Sequence, residues 1–291
     1  MFIREKKIDC GNYREVDIIP RTNNAERAVK GKRKRIRVTT PKQASLNDKN
    51  ARRYLVQLAN GNFGKGDYHI SATYSKKYLP KTVKEAEKCV NNYLRRIAYR
   101  REKLGLEPLK YILVTEYKYA KDGTSLVRIH HHIIVNGGLN RDELELMWTK
   151  CRINWKKIND VTYRNSIEQI GYCDVDRIQT AEGENGIEAL CQYITKDPQG
   201  KKRWSSSRNL ERPEQQPNAD KKYSKAKVAR LATAADAGKS FFEKQFSDYE
   251  IVSVEPVYYD ETGWHIYLKM WSKKPKRKRL KCKKKRSRRK N

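Results

Sequence analysis

Ile129-His130-His131-His132-Ile133-Ile134-Val135 is a hydrophobic, β-branched run stopped by Asn136-Gly137-Gly138, and it predicts a β-strand. Side chains alternate faces along a strand, so His130 and His132 share one face and His131 takes the other. The preceding stretch, Lys110 to Tyr117, alternates in the same style, and Lys121-Asp122-Gly123-Thr124-Ser125 between the two signals a hairpin. With the turn centred near Gly123, cross-strand partners sum to about 246 in residue number, which sets Glu116 opposite His130 on one face. A slip of one residue would send Glu116 to the other face. Two imidazoles and a carboxylate supply three ligands with positions left open, as a catalytic rather than a structural metal site needs. Glu116, His130 and His132 are therefore candidate ligands; the alternative is a polar, solvent-facing strand edge.

Further on, Ile187, Leu190, Cys191 and Ile194 follow helical spacing, and Asp197-Pro198 ends that helix. Tyr193 and Lys196 are three apart, hence on one face with Cβ atoms roughly 5–6 Å apart. A phenol attacks a phosphodiester once its proton is removed and the phosphate charge is neutralised, so a nearby cation and a metal suit it. Alone, Tyr-x-x-Lys is weak, because the chain holds 18 tyrosines.

Charge narrows the partner. The formal net charge is +32. Removing the 14 basic residues between Lys273 and Lys290 still leaves 52 basic against 34 acidic ones. Basicity spread over body and tail favours a polyanion such as nucleic acid. A membrane is disfavoured, since nothing approaches about 18 continuous apolar residues and the N-terminus carries no signal-peptide pattern. The six cysteines form no Cys-x-x-Cys pair, which argues for a reducing cytosol and against zinc fingers or a disulfide framework.

Taken together, these stretches resemble the rolling-circle replication initiators (Rep) of the HUH endonuclease superfamily, the single-tyrosine plasmid and phage type. Asp67-Tyr68-His69-Ile70-Ser71-Ala72-Thr73-Tyr74 resembles the first family motif, a strand ending in Leu-Thr-Tyr, with Ala72 in place of Leu. His130-His131-His132 resembles the His-hydrophobic-His motif, with His131 at the hydrophobic position. Tyr193-Ile194-Thr195-Lys196 resembles the Tyr-x-x-Lys motif. The three occur in family order, and the likeness covers roughly residues 45 to 215. Asn60-Gly61-Asn62-Phe63-Gly64 and the stretch from Lys202 to Leu210 are also similar to Rep proteins of Gram-positive bacterial phages and mobile elements.

The resemblance implies an α+β fold: a mainly antiparallel, ferredoxin-like sheet of about five strands with packed helices. It implies Tyr193 as nucleophile forming a 5′-phosphotyrosine, Lys196 orienting phosphate or tyrosine, and Mg²⁺ or Mn²⁺ on Glu116, His130 and His132. Position 197 is Asp, so a second tyrosine four residues on is absent. Expected partners are single-stranded or hairpin origin DNA, with a host polymerase and a separate helicase, since the chain has no Walker A pattern. The expected location is the cytoplasm of a bacterial host. A relaxase or transposase of the same superfamily is one alternative; relaxases usually place the tyrosine before the histidines, and single-tyrosine transposases tend to be shorter. A non-catalytic, basic nucleic-acid binder with structural histidines is another.

The expected organisation is a basic N-terminal arm and helix over 1–64, an endonuclease core over 65–212, a C-terminal helix–hairpin segment over 213–271, and a disordered basic tail over 272–291. Within it, Cys10 to Ile19 reads as one short strand, and Arg27 to Arg37 as an arm on DNA phosphate through Arg33, Lys34 and Arg35. Leu46 to Ala59 reads as a helix with Leu46, Tyr54, Leu55 and Leu58 inward. Thr82 to Leu104 is a long helix, with Thr82 and Glu85 as a capping box, Gly105 at its end, and Val83, Ala86, Val90, Tyr93, Leu94 and Ile97 as the buried stripe. Its Arg95-Arg96 and Arg100-Arg101 pairs read as a solvated flank. The odd face of the hairpin, including Val127, should pack on that helix. Asn140 caps a helix to Lys150. The serine-rich stretch from Lys201 to Arg212 is a candidate single-strand contact loop through Lys201, Lys202, Arg203, Trp204 and Arg208. Residues 213–220 read as a linker, followed by a helix over 225–246 broken near Gly238 and a hairpin over 248–271.

Overall fold

The computed structural model describes residues 1–30, 41–121, 123, 126–178, 186–196 and 204–274. In chain order the strands are β1 (Phe2–Cys10), β2 (Tyr13–Arg21), β3 (Tyr68–Thr73), β4 (Tyr111–Tyr119), β5 (Leu126–Val135), β6 (Cys173–Arg177), β7 (Ser205–Ser206), β8 (Glu214–Gln215), β9 (Ala219–Asp220), β10 (Tyr249–Tyr259) and β11 (Gly263–Ser272). The helices are α1 (Asn23–Lys30), α2 (Pro41–Asn62), α3 (Val83–Lys103), α4 (Arg141–Leu146), α5 (Val161–Asn165), α6 (Gly186–Ile194), α7 (Lys225–Ala232) and α8 (Lys239–Gln245). The fold is α+β with two antiparallel sheets, divided between two compact units: residues 32–214, and residues 1–31 together with 215–291.

The sheet of the 32–214 unit runs β6-β3-β5-β4-β7. One face carries Ile70, Leu113, Ile133, Val135 and Val175 against the Val90, Tyr93, Leu94 and Ile97 stripe of α3. The other carries Ile112, Val114 and Ile134 against Leu55 and Leu58 of α2 and Ile187, Cys191 and Ile194 of α6. Helices on both faces explain the unbroken apolar run at the end of β5. Each such fully buried side chain contributes about 1.5–3 kcal/mol relative to exposure. The capping box forms at α3, with Thr82 Oγ1 accepting from Glu85 N and Glu85 Oε2 from Lys81 N, and Gly105 follows at φ +66°.

Several expectations change. Val127 is exposed, because the β4–β5 register shifts after Lys118–Arg128 so that Tyr119 pairs with Leu126. The extra residue is a bulge, and it sends Leu126 to the α3 side in place of Val127. Leu46 is 50% exposed at the outer end of α2. The helix after Asn140 stops at Leu146, since Thr149 leaves it to bridge Gln169. The arginines of α3 are not a solvated flank. Arg101 is buried and donates to three backbone carbonyls, Arg96 donates to Met147 O, and Arg100 pairs with Glu143 and covers the ring of Trp155 at 4.0 Å. Trp155 is thus engaged in packing. Gly171 is required: a Cβ there would meet Thr73 O at 2.1 Å, where Thr73 N bonds to Tyr172 O.

In the other unit the sheet runs β10-β11-β2-β1-β8, with β9 also on β1. Residues 2–21 form a full hairpin instead of one short strand between Cys10 and Ile19, turning at Gly11 with φ +57°. Residues 213–220 supply the small strands β8 and β9 instead of a linker. The C-terminal hairpin joins the N-terminal one through β11–β2. Val16, Ile18, Ile266 and Leu268 pack under Val228, Leu231 and Phe242 of α7 and α8. The helical segment breaks as expected, with Gly238 at φ +79° before α8.

Candidate metal centre and tyrosine site

The β4–β5 register is the one the turn position implies: Glu116 lies opposite His130, and Val114 opposite His132. Ligand atoms of Glu116, His130 and His132 lie within 4.8 Å of one another. His132 is nearly buried. Its Nε2 faces Glu116 Oε2 at 3.7 Å and its Nδ1 faces His69 Nε2 at 3.4 Å. His130 sits nearer the surface, its Nε2 accepting from Arg128 Nε at 2.6 Å. His131 points to the α3 side, fully buried, held by Thr115 Oγ1 on Nδ1 at 3.0 Å and Tyr74 OH on Nε2 at 2.8 Å. That imidazole is a core residue.

Burial dominates the electrostatics. It pushes His131 down to about 3, with the neighbouring His132 and His130 adding to the effect. It pushes His69 down to about 4, helped by His132 and opposed by Asp174. His130 is lowered by burial and then by Arg128, and His132 by burial against the pull of Glu116. The four imidazoles are therefore neutral at pH 7 and keep a lone pair for a ligand or hydrogen bond. Two nitrogens and one carboxylate oxygen, with an exposed side to the cluster, are a donor set that fits a divalent ion with open positions.

The tyrosine arrives from the far end of the unit. Ile187, Cys191 and Ile194 seat α6 on the sheet. Tyr193, on its flank, is 64% exposed, and its ring meets that of His132 edge-on, centroids 5.6 Å apart. Lys196 follows in the final turn, its backbone N bonded to Tyr193 O, with the side chain exposed.

The remaining candidates divide. Arg33, Lys34, Arg35, Lys201, Lys202 and Arg203 lie outside the described residues. Trp204 stacks on Tyr54 of α2, centroids 5.9 Å apart and 16° between planes. Arg208 is exposed, just beyond Ser205 and Ser206, which pair with Leu113 and Ile112 at the sheet edge. Sequence reasoning misses Arg128, although its even number aligns it with His130 and His132 on the same face.

Among the described residues, no helix is long and apolar enough to cross a membrane. No curated protein and no solved structure matches the chain. Residues 67–198 match the family model for replication-associated proteins of the ORF2 type, a span that includes Glu116, His130, His132 and Tyr193, and this similarity supports a role in initiating DNA replication.

Proposed function

We propose that the chain is a metal-dependent, site-specific single-strand DNA nicking and joining enzyme that initiates rolling-circle replication of a plasmid or phage. The observation that carries this reading is the edge-on contact of an exposed Tyr193 with His132, 5.6 Å between rings, beside the Glu116–His130–His132 cluster. Residues about sixty positions apart converge there, and a phenol that were merely packing has no need to be 64% exposed.

In this reading Glu116, His130 and His132 hold Mg²⁺ or Mn²⁺, and the nitrogen donors favour Mn²⁺, since Mg²⁺ prefers oxygen. The bound ion neutralises the scissile phosphate and the charge that develops on it. Tyr193 Oη attacks phosphorus in line. The bond to the 3′-oxygen breaks, the phenolic proton is lost, and the departing oxygen takes up a proton. The products are a 5′-phosphotyrosine and a free 3′-hydroxyl for a host polymerase. One phosphodiester replaces another, so the reaction runs backwards to close the strand. Lys196 supplies positive charge to the phosphate, and the basic body and tail hold single-stranded or hairpin origin DNA, with a separate helicase opening the duplex.

The test is cleavage of single-strand oligonucleotides, with mass spectrometry of the adduct from a random library to report nucleophile and target together. Wild type with Mn²⁺ should give a covalent adduct on Tyr193, lost with EDTA and in Tyr193→Phe. An adduct that persists in Tyr193→Phe refutes the assignment. Salt-sensitive binding indifferent to EDTA, with no cleavage, would favour a non-catalytic binder.

A further inference from the structure

We propose that His69 is a positioning residue for the metal centre, accepting the Nδ1 proton of His132 so that the Nε2 lone pair of His132 is left for the ion. The inference rests on the metal reading above and extends it to a residue outside the three-ligand cluster.

The strand register provides the placement. Ser71 of β3 pairs with His132 of β5, and His69 lies two residues away on the same face. The two rings stack, centroids 5.5 Å apart and 9° between planes, with His69 Nε2 3.4 Å from His132 Nδ1. The two nitrogens of His132 face opposite ways, Nδ1 toward His69 and Nε2 toward Glu116. His69 is therefore on the wrong side of His132 to ligate the same ion.

Two groups compete for the single proton of a neutral His132. Glu116 Oε2 at 3.7 Å favours it on Nε2, which blocks ligation; His69 Nε2 at 3.4 Å favours it on Nδ1, which permits it. A ligating histidine with its other nitrogen bonded to a fixed acceptor is held in one tautomer and one ring orientation. Here the acceptor is a second imidazole. The two facing nitrogens cannot both carry protons, so the pair forces one to accept.

The test uses the full chain labelled with ¹⁵N-histidine; five imidazoles make its long-range ¹H–¹⁵N spectrum assignable. In the metal-free wild type, His132 should populate the Nδ1–H tautomer. His69→Phe, which keeps a ring and removes the acceptor, should move it to Nε2–H and weaken Mn²⁺ binding about 10–100-fold. His69→Gln, whose carbonyl can accept, should recover part of both. Equal tautomer populations and equal Mn²⁺ affinity in wild type and His69→Phe overturn the proposal. A wild type holding only Nε2–H overturns it with no variant at all. A wild type that binds no Mn²⁺ removes the metal reading itself and this role with it, which separates the two failures.

Discussion

Replacing Arg101 by Met should cost far more than a surface arginine ever does. Arg101 stands in the last turn of α3 at 2% exposure. Its Nε donates to Glu107 O at 2.8 Å, and its Nη1 to Asn136 O at 3.1 Å and Gly137 O at 2.7 Å. Gly137 N in turn donates to Asp67 Oδ1 at 2.7 Å, so the same side chain braces the turn after β5 and, through it, the entry to β3. Hydrogen bonds from a charged donor contribute about 1.5–3 kcal/mol each, and a buried carbonyl left bare costs about 1–3 kcal/mol. Burial opposes this, since desolvation lowers the guanidinium pKa, and a methionine packs there without that penalty. Allowing one carbonyl to find water and crediting that relief, the net loss is about 2–4 kcal/mol. Hydrogen exchange of β3 and β5 amides along a urea series reads this unit directly, and about 3 kcal/mol raises global opening roughly 10²-fold. Arg101→Lys should recover less than half, because one ammonium cannot reach all three carbonyls. A loss below about 1 kcal/mol for Arg101→Met would refute the argument.

Three further outcomes follow from the same contacts. Ile70→Ala, at a fully buried site between β5 and β6, should destabilise the unit by about 2–5 kcal/mol in denaturant melts. Burial pushes the Glu5 carboxyl up, but bonds from Lys222, Lys7 and Tyr223 outweigh it and hold the group below 4.5. The unfolded chain therefore takes up that proton first, and the stability Glu5 confers is present above pH 4.5 and lost as pH falls below it. The gap between wild type and Glu5→Gln in urea melts should shrink from about pH 6 to about pH 3, and a constant gap would contradict it. Cys10, Cys173 and Cys191 are buried, and burial pushes the last two thiols up to about 12, so in a Cys282→Ser background Cys151 should react first with a thiol reagent.

The β4–β5 hairpin was legible because two independent signals, period-two alternation and Asp-Gly, fix one register, and that register alone puts Glu116 beside His130. The α3 stripe was legible for the same reason at helical period. The arginines of α3 were not, since a charge reads as solvated until the backbone carbonyls waiting for it are known. Nor was β1: Arg4, Glu5, Lys6 and Lys7 put charge on both faces, which hides the alternation, and only pairing such as Arg4 with Glu26 and Asp220 makes burial tolerable. The approach of Tyr193 to His132 was legible only through motif order, because no local rule brings a helix and a strand so distant in the chain together.

The hairpin of residues 2–21 is made first on the ribosome, yet the neighbour of β2 is β11, which ends at Ser272. Val16 and Ile18 must wait, uncovered, while some two hundred and forty residues are translated, whereas the 32–214 sheet needs nothing beyond Ser206 to pair. Nascent chains stalled before residue 249 should therefore carry a finished central sheet and an adhesive amino-terminal ribbon, and a premature stop there should yield aggregates instead of a shorter working protein.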